Sequence, residues 1–305
     1  MKRLAFVALV LTFVVVVVGA YVRLSDAGLG CPDWPLCYGK PIPETGEDHR
    51  AWKEMTHRWL AGTLGVLLFA LLLAAWRTRR SPWLATAIAA LVVLQAALGM
   101  WTVTLLLKPA IVTAHLLGGM TILALMTWFL LERISPATRP EGRILRMPAA
   151  AALATLAIQI ALGGWVSANY AALGCPDLPL CLGQAVPPMD FANAFHMVRE
   201  LGRTDEGALL PQAALTAIHW THRVFALVVV GVLGWAATSA FKVHRALGAL
   251  IALLLWLQFS IGIANVAFNV PLALAAAHNA GAAALLVSLV VLNFFAFREH
   301  TGSSP

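Results

Sequence analysis

Eight apolar runs, near residues 4–21, 57–76, 83–105, 111–131, 147–168, 216–240, 246–268 and 272–297, alternate with polar breaks and two long polar loops, 22–50 and 169–212. Crossing about 30 Å of hydrocarbon takes roughly 20 helical residues, so each run is long enough to span a membrane. The pattern predicts an all-α polytopic membrane protein whose eight transmembrane helices form two pseudo-symmetric four-helix bundles. The first run follows Met-Lys-Arg and imitates a signal peptide, with Gly19-Ala20 resembling a cleavage site. Leu4–Tyr21 is longer than a typical cleavable core, and the repeat described next needs it as the partner of 147–168, so a retained helix is expected.

The polar breaks carry a duplication. Gly30-Cys-Pro-Asp-Trp-Pro-Leu-Cys-Tyr-Gly39 returns as Gly174-Cys-Pro-Asp-Leu-Pro-Leu-Cys-Leu-Gly183. Each copy is followed by a His-Arg pair, His57-Arg58 and His222-Arg223, and then by one further histidine, His115 or His278. His57 and His115 are 58 positions apart, His222 and His278 are 56 apart. A duplicated scaffold with two equivalent sites accounts for this. Each half holds an even number of spans, so the halves enter the membrane in the same sense, related by an axis along its normal. The expected organisation is an N-terminal half over 1–131, a cytoplasmic linker over 132–146, rich in Pro and Arg, and a C-terminal half over 147–305.

Composition agrees with lipid as the solvent: 60% of residues are hydrophobic and 11% charged, with a mean hydropathy of +0.81. Charge orients the chain. With a cytoplasmic N-terminus, the inner segments hold twelve basic residues against three acidic ones, and the outer segments nine against eleven. That is the positive-inside bias, so both termini are expected in the cytoplasm and the cysteine loops on the extracytoplasmic face of a bacterial-type cell membrane. The net charge of +7 reflects topology and attraction to anionic headgroups, not nucleic-acid binding.

All four cysteines lie in the outer loops, as Cys31/Cys37 and Cys175/Cys181, where an oxidising compartment favours one bridge within each loop. Such a bridge serves either as a staple over the site below or as an exchangeable dithiol. Four thiolates on one zinc ion ranks below both, because the five-residue spacing is wide for a zinc ribbon.

Counted along the helices at 1.5 Å per residue, His57, His115, His222 and His278 fall within about 10 Å of the outer edge. Two histidines at matching depth on neighbouring helices can hold a haem iron from both faces, and ionisable side chains in lipid usually mark a site. The ligating form is neutral imidazole, and its spare ring N–H is expected to find an acceptor. Arg58 and Arg223, at the water boundary, suit haem propionates or snorkel toward headgroups. Glu54 stands where the second copy has His219, three residues before the ligand and on its face. A carboxyl group there can move protons, or it is a first-turn carboxylate favoured by the helix dipole. Gln95 and Gln258, each four residues before a glycine, read as interhelical hydrogen-bonding residues. His49, His196, His244 and His300 have no counterpart in the repeat and read as surface residues.

At these residues the chain closely resembles the haem A synthase family, in which a Cys-Pro-Asp-Trp-Pro-Leu-Cys loop, a Glu-x-x-His-Arg motif and paired histidines recur in eight-helix membrane proteins. The resemblance covers essentially the whole chain. It implies oxidation of a peripheral methyl group of haem O to a formyl group by successive hydroxylations, giving haem A for cytochrome oxidase. It also implies that His57 and His115 belong to the substrate-haem half with Glu54 as its essential carboxylate, and that His222 and His278 ligate a resident haem b. Cys31 and Cys37 match the family's loop pair; some members lack the second. Partners implied are haem O, the enzyme that supplies it, an electron donor and membrane lipid, with other copies of the chain as a further option. Two other readings fit the same residues: a di-haem electron-transfer protein, and a haem carrier or assembly factor. Because activating dioxygen needs an open iron position, one ligand in the first half is expected to be weak or displaceable.

Overall fold

The computed structural model describes residues 1–44, 48–135 and 144–298. Arg139, Glu141, Arg143, Glu299, His300, Thr301–Pro305 and most of the expected linker lie outside the described residues. Among the described residues, eight helices are long and apolar enough to cross a membrane. They are α1 (Lys2–Leu24), α2 (His49–Thr78), α3 (Pro82–Thr104), α4 (Pro109–Ile134), α5 (Arg146–Ala168), α7 (Gln212–Val243), α8 (Arg245–Ala267) and α9 (Leu272–Phe297), and a short α6 (Phe191–Ala194) interrupts the second long loop. The spans read from hydropathy are all present. Glu132 and Arg133 belong to α4, and Arg146 opens α5.

Helices α2 and α7 start earlier than their apolar runs suggest. Asp48 caps α2, its side chain accepting the Arg50 amide at 3.0 Å, and the first two turns bury Ala51, Glu54 and Met55 under the first cysteine loop. In α7 the added turn buries Ala214 under the second loop. These turns are covered by protein, so a hydropathy window misses them. Glu54 is therefore in the second turn of α2, not the first, and the helix-dipole explanation for it does not apply.

Within each half the helices close on themselves. α1, α2, α3 and α4 pack in sequence with α4 returning to α1, and α5, α7, α8 and α9 do the same with α9 returning to α5. The halves meet through α1, α4, α5 and α9. Lipid exerts no hydrophobic push between helices, so close approach depends on small residues, and Ala149, Ala152, Ala236, Ala240 and Ala283 are fully buried in the central cluster. At the loop end the halves are clasped by repeat-related positions. Arg23 donates to the Ser167 carbonyl at 2.7 Å and lies over the Tyr170 ring, while the Tyr170 hydroxyl donates to Asp26 at 2.9 Å.

Candidate functional site

Both cysteine loops take the same fold. Disulfides join Cys31 to Cys37 and Cys175 to Cys181, which removes the zinc alternative. Cys37 donates back to the Lys40 carbonyl at 2.9 Å, as Cys181 does to Gln184 at 2.8 Å. Asp33 accepts the amides of Tyr38 and Gly39, and Asp177 those of Leu182 and Gly183. Gly39 and Gly183 occupy the left-handed region with φ of +73° and +72°, which favours glycine. The Gly183 amide, with that of Leu182, holds the Asp177 carboxyl below the usual carboxylate range. Gly30 and Gly174 rest on the backbone of α2 at Arg50–Ala51 and of α7 at Leu215, where a Cβ would collide. The four cysteines are buried against these helices, so neither bridge is presented to solvent.

Each loop is keyed to its helix by the motif that carries the candidate ligand. Glu54 accepts the Cys31 amide through Oε2 at 2.8 Å and pairs through Oε1 with Arg58 at 2.5 Å. Arg58 also donates to the carbonyls of Asp33 at 2.9 Å and Leu36 at 2.6 Å. In the second half, His219 accepts the Cys175 amide on Nδ1 at 3.1 Å, and Arg223 donates to the carbonyls of Asp177 at 3.0 Å and Leu180 at 3.1 Å. Both guanidiniums thus engage the loop, a use that their position at the water boundary did not disclose. Glu54 and His219 do the same job, accepting one loop amide, with different chemistry.

Below these keys stand the imidazoles. His57 and His115 lie close enough for their charges to interact, and so do His222 and His278. Each ring packs on a glycine of a neighbouring helix. A Cβ added at Gly19 would lie 2.8 Å from Cε1 of His57, at Gly99 3.4 Å from that of His115, at Gly163 3.1 Å from that of His222, and at Gly262 3.2 Å from that of His278. Nδ1 of all four is buried without a hydrogen-bond partner, where an acceptor was expected. Leaving a buried polar atom unpaired costs about 1–3 kcal/mol, and four equivalent cases make Nδ1 the nitrogen that awaits a hydrogen-bond acceptor and leave Nε2 as the one to bind a ligand. Among the described residues no group of three His, Cys, Asp or Glu side chains gathers around a bare ion. A pair suits a metal that brings its own equatorial ligands, as iron in a porphyrin does.

The remaining histidines differ from expectation in part. His49 is exposed, but His196 is half-buried near Asp205 and the half-buried His244 ring packs on Phe295. An apolar groove of about 350 Å³ between α7 and α8, lined by Gly234, Thr238, Phe241, Gly248 and Trp256, opens at the opposite end of α7 from His222. It has no polar group suited to chemistry. We assign the site to the four imidazoles because they are buried in pairs at repeat-related positions; an unpaired Nδ1 is shared by His196 and does not single them out. Sequence reading passed over Gln159, whose amide donates to the His222 carbonyl at 3.1 Å. Its signal was present: like Gln95 and Gln258, it precedes a glycine by four residues.

Two closed helical rings, each with a pair of buried imidazoles beneath a disulfide-bonded loop, define a polytopic membrane protein with a duplicated paired-histidine site. A family model described as cytochrome oxidase assembly protein matches residues 2–290. The chain belongs to this family. It is 39% identical to a heme A synthase of Shewanella oneidensis, over 98% of this chain and 97% of that protein. It is 28% identical to the heme A synthases of Rhizorhabdus wittichii, over 92% and 89% of the two chains, and of Caulobacter vibrioides, over 96% and 94%.

Proposed function

We propose that this protein is a haem A synthase, an oxidoreductase that converts a peripheral methyl group of haem O into a formyl group by successive hydroxylations for cytochrome oxidase assembly. Family membership and the near full-length likeness to heme A synthases support the reading. The observation in the fold that carries it is the pair of buried imidazoles in each half with unpaired Nδ1 atoms.

In this reading residues 1–131 hold the substrate haem between His57 and His115, and residues 147–305 hold a resident haem b between His222 and His278. Bound haem supplies the iron chemistry: electron storage in the second half and oxygen activation in the first. The protein contributes orientation and exclusion of water. Arg58 and Arg223 hold the cysteine loops over the sites, and each loop closes the end of its bundle. Glu54 places a carboxylate one turn from His57, where it can hold or move a proton at Oε1 or Oε2, while His219 keeps the equivalent position free of negative charge. In this reading the loops face the extracytoplasmic side and both termini the cytoplasm, an orientation that the basic excess of the inner segments favours. Haem O arrives from the enzyme that makes it, and a separate donor supplies electrons.

The test is to purify the protein without oxygen, supply haem O, admit oxygen with a reductant and weigh the extracted porphyrin. A formyl product is expected. Two haems recovered unchanged would instead identify an electron relay.

A further inference from the structure

Four helices supply the glycines on which the four imidazoles pack, and the residue four positions before each glycine lies on the same helix face. In three cases that residue is glutamine: Gln95 before Gly99, Gln159 before Gly163 and Gln258 before Gly262. In the fourth, before the Gly19 that meets His57, it is Val15. The glutamines reach the ligand-bearing helices. Gln159 donates to the His222 carbonyl at 3.1 Å and Gln258 to the His278 carbonyl at 2.9 Å. The carboxamide of Gln95 lies against Gly118 and that of Gln258 against Gly281, each one turn beyond the histidine on the facing helix.

The unpaired atoms on the two sides are complementary. Oε1 of Gln159 and of Gln258 is buried without a partner, and so is Nδ1 of His222 and of His278, the two kinds of atom standing outside hydrogen-bond distance of each other in this structure; at Gln95 the unpaired atom is Nε2. A histidine that binds metal through one ring nitrogen carries its proton on the other, and that N–H needs an acceptor to fix the tautomer and make the ligand more basic. A glutamine carbonyl is such an acceptor; the methyl groups of valine are not.

We propose that Gln159 and Gln258 are positioning residues that accept the Nδ1–H bond of haem-ligating His222 and His278, that Gln95 serves His115 in the same way with its carboxamide turned over, and that Val15 leaves His57 as the displaceable ligand. The inference deepens the function proposed above and rests on it. It explains how one duplicated scaffold holds one haem permanently and opens the iron of another. In the second half both ligands are braced by glutamine; in the first, one is braced and one is not. The asymmetry sits at a single residue of α1, whose side chain packs against the hydrophobic cluster that includes Ala8, Leu64 and Leu68.

The experiment uses the full-length protein loaded with haem in both halves, reduced, and mixed with carbon monoxide, which binds only where a ligand is displaced. Wild-type protein should show one reactive haem. Val15→Gln should slow its carbon monoxide binding about 10–100-fold, the range by which outer partners of metal ligands alter affinity. Gln159→Val should make the second haem reactive and speed its loss to a haem-scavenging protein by a similar factor. The two variants act in opposite directions, so general loosening of the bundle cannot produce both results, and either alone tests the idea if the other fails to fold. Unchanged carbon monoxide kinetics with both haems bound would overturn this inference and leave the proposed function standing. A chain that retains no haem in either half would overturn both.

Discussion

Removing the Glu54 side chain should open the first cysteine loop and leave the second closed. The carboxylate is 6% exposed and makes two contacts, the Cys31 amide at 2.8 Å and the Arg58 guanidinium at 2.5 Å. A hydrogen bond to a charged acceptor contributes about 1.5–3 kcal/mol, and breaking a buried ion pair costs about 3–5 kcal/mol when the surviving charge has no other partner. Arg58 keeps the carbonyls of Asp33 and Leu36, so the lower end of the ion-pair range applies. About 3 kcal/mol for Glu54→Ala corresponds to roughly a 100-fold larger population of the opened loop, at 1.4 kcal/mol per factor of ten. The sulfurs of Cys31 and Cys37 are buried when the loop is closed, so a small thiol reduces this bridge only through the opened form. The assay is the reduction rate of Cys31–Cys37 in the folded protein, with Cys175–Cys181 as the internal control. Glu54→His copies the second half, where His219 accepts the Cys175 amide, and should restore most of the protection. An unchanged Cys31–Cys37 rate in Glu54→Ala, or an equal acceleration at Cys175–Cys181, would refute the reasoning. If Glu54→His restores the loop but yields no haem A, the carboxylate acts in the chemistry and not as an anchor alone.

Gly19→Ala should displace the His57 ring, since the new methyl group would lie 2.8 Å from Cε1, and should lower the haem content of the first half measured by pigment extraction; Gly62→Ala, where an added methyl group meets nothing, should leave it unchanged. Arg23→Ala removes the 2.7 Å bond to Ser167 and the contact with the Tyr170 ring, and a loss of about 1–3 kcal/mol should appear in thermal unfolding in detergent with haem binding retained. The depressed Asp177 carboxyl contributes stability above the ordinary aspartate pKa that is lost as pH falls through the lower folded value. Hydrogen-exchange protection at Leu182 and Gly183, corrected for intrinsic rates, should therefore hold from neutrality to about pH 4 and decline below it, and Asp177→Asn should abolish that acid limb.

Much of this molecule is legible in its sequence because lipid is a strict solvent. A helix facing hydrocarbon must be apolar over its whole length, so Pro82–Thr104 or Arg245–Ala267 can be bounded to within a residue or two from hydropathy alone. The same criterion fails where protein replaces lipid. His49–Thr56 is too polar to resemble a span, yet it is helical because Asp48 caps it and the cysteine loop covers Ala51 and Met55. Duplication exposed the candidate ligands, because a histidine that recurs with its neighbours stands out from one that does not. It could not expose what those neighbours touch. Arg58 and Arg223 turn toward loop carbonyls, contacts between chain segments more than 20 residues apart that leave no periodicity to read. Gln159 went unremarked because its partner is a backbone carbonyl 63 positions away, and a carbonyl has no signature in sequence.

Around the histidine pairs, two differences between the halves bear on chemistry, and they lie in the surroundings of the imidazoles, not in the imidazoles themselves. Each half keeps its histidine pair, its glycine seats and its disulfide-bonded loop, so the capacity to hold a metal cofactor is common to both. Glu54 faces His219 in the alignment of the repeats, and Val15 faces Gln159. The first exchange puts negative charge beside one site and a neutral ring beside the other, while both accept the same loop amide. The second removes a hydrogen-bonding brace from one ligand-bearing helix and keeps it on the other. Both exchanges leave the glycine seats at Gly19 and Gly163 in place. A duplicated protein can therefore separate storing electrons from performing oxidation with substitutions one turn from the metal, provided that the exchange at Glu54 governs protons and the exchange at Val15 governs ligand release. Those roles are separable by experiment: Glu54→His should alter product formation without changing carbon monoxide binding, and Val15→Gln should change carbon monoxide binding without opening the cysteine loop.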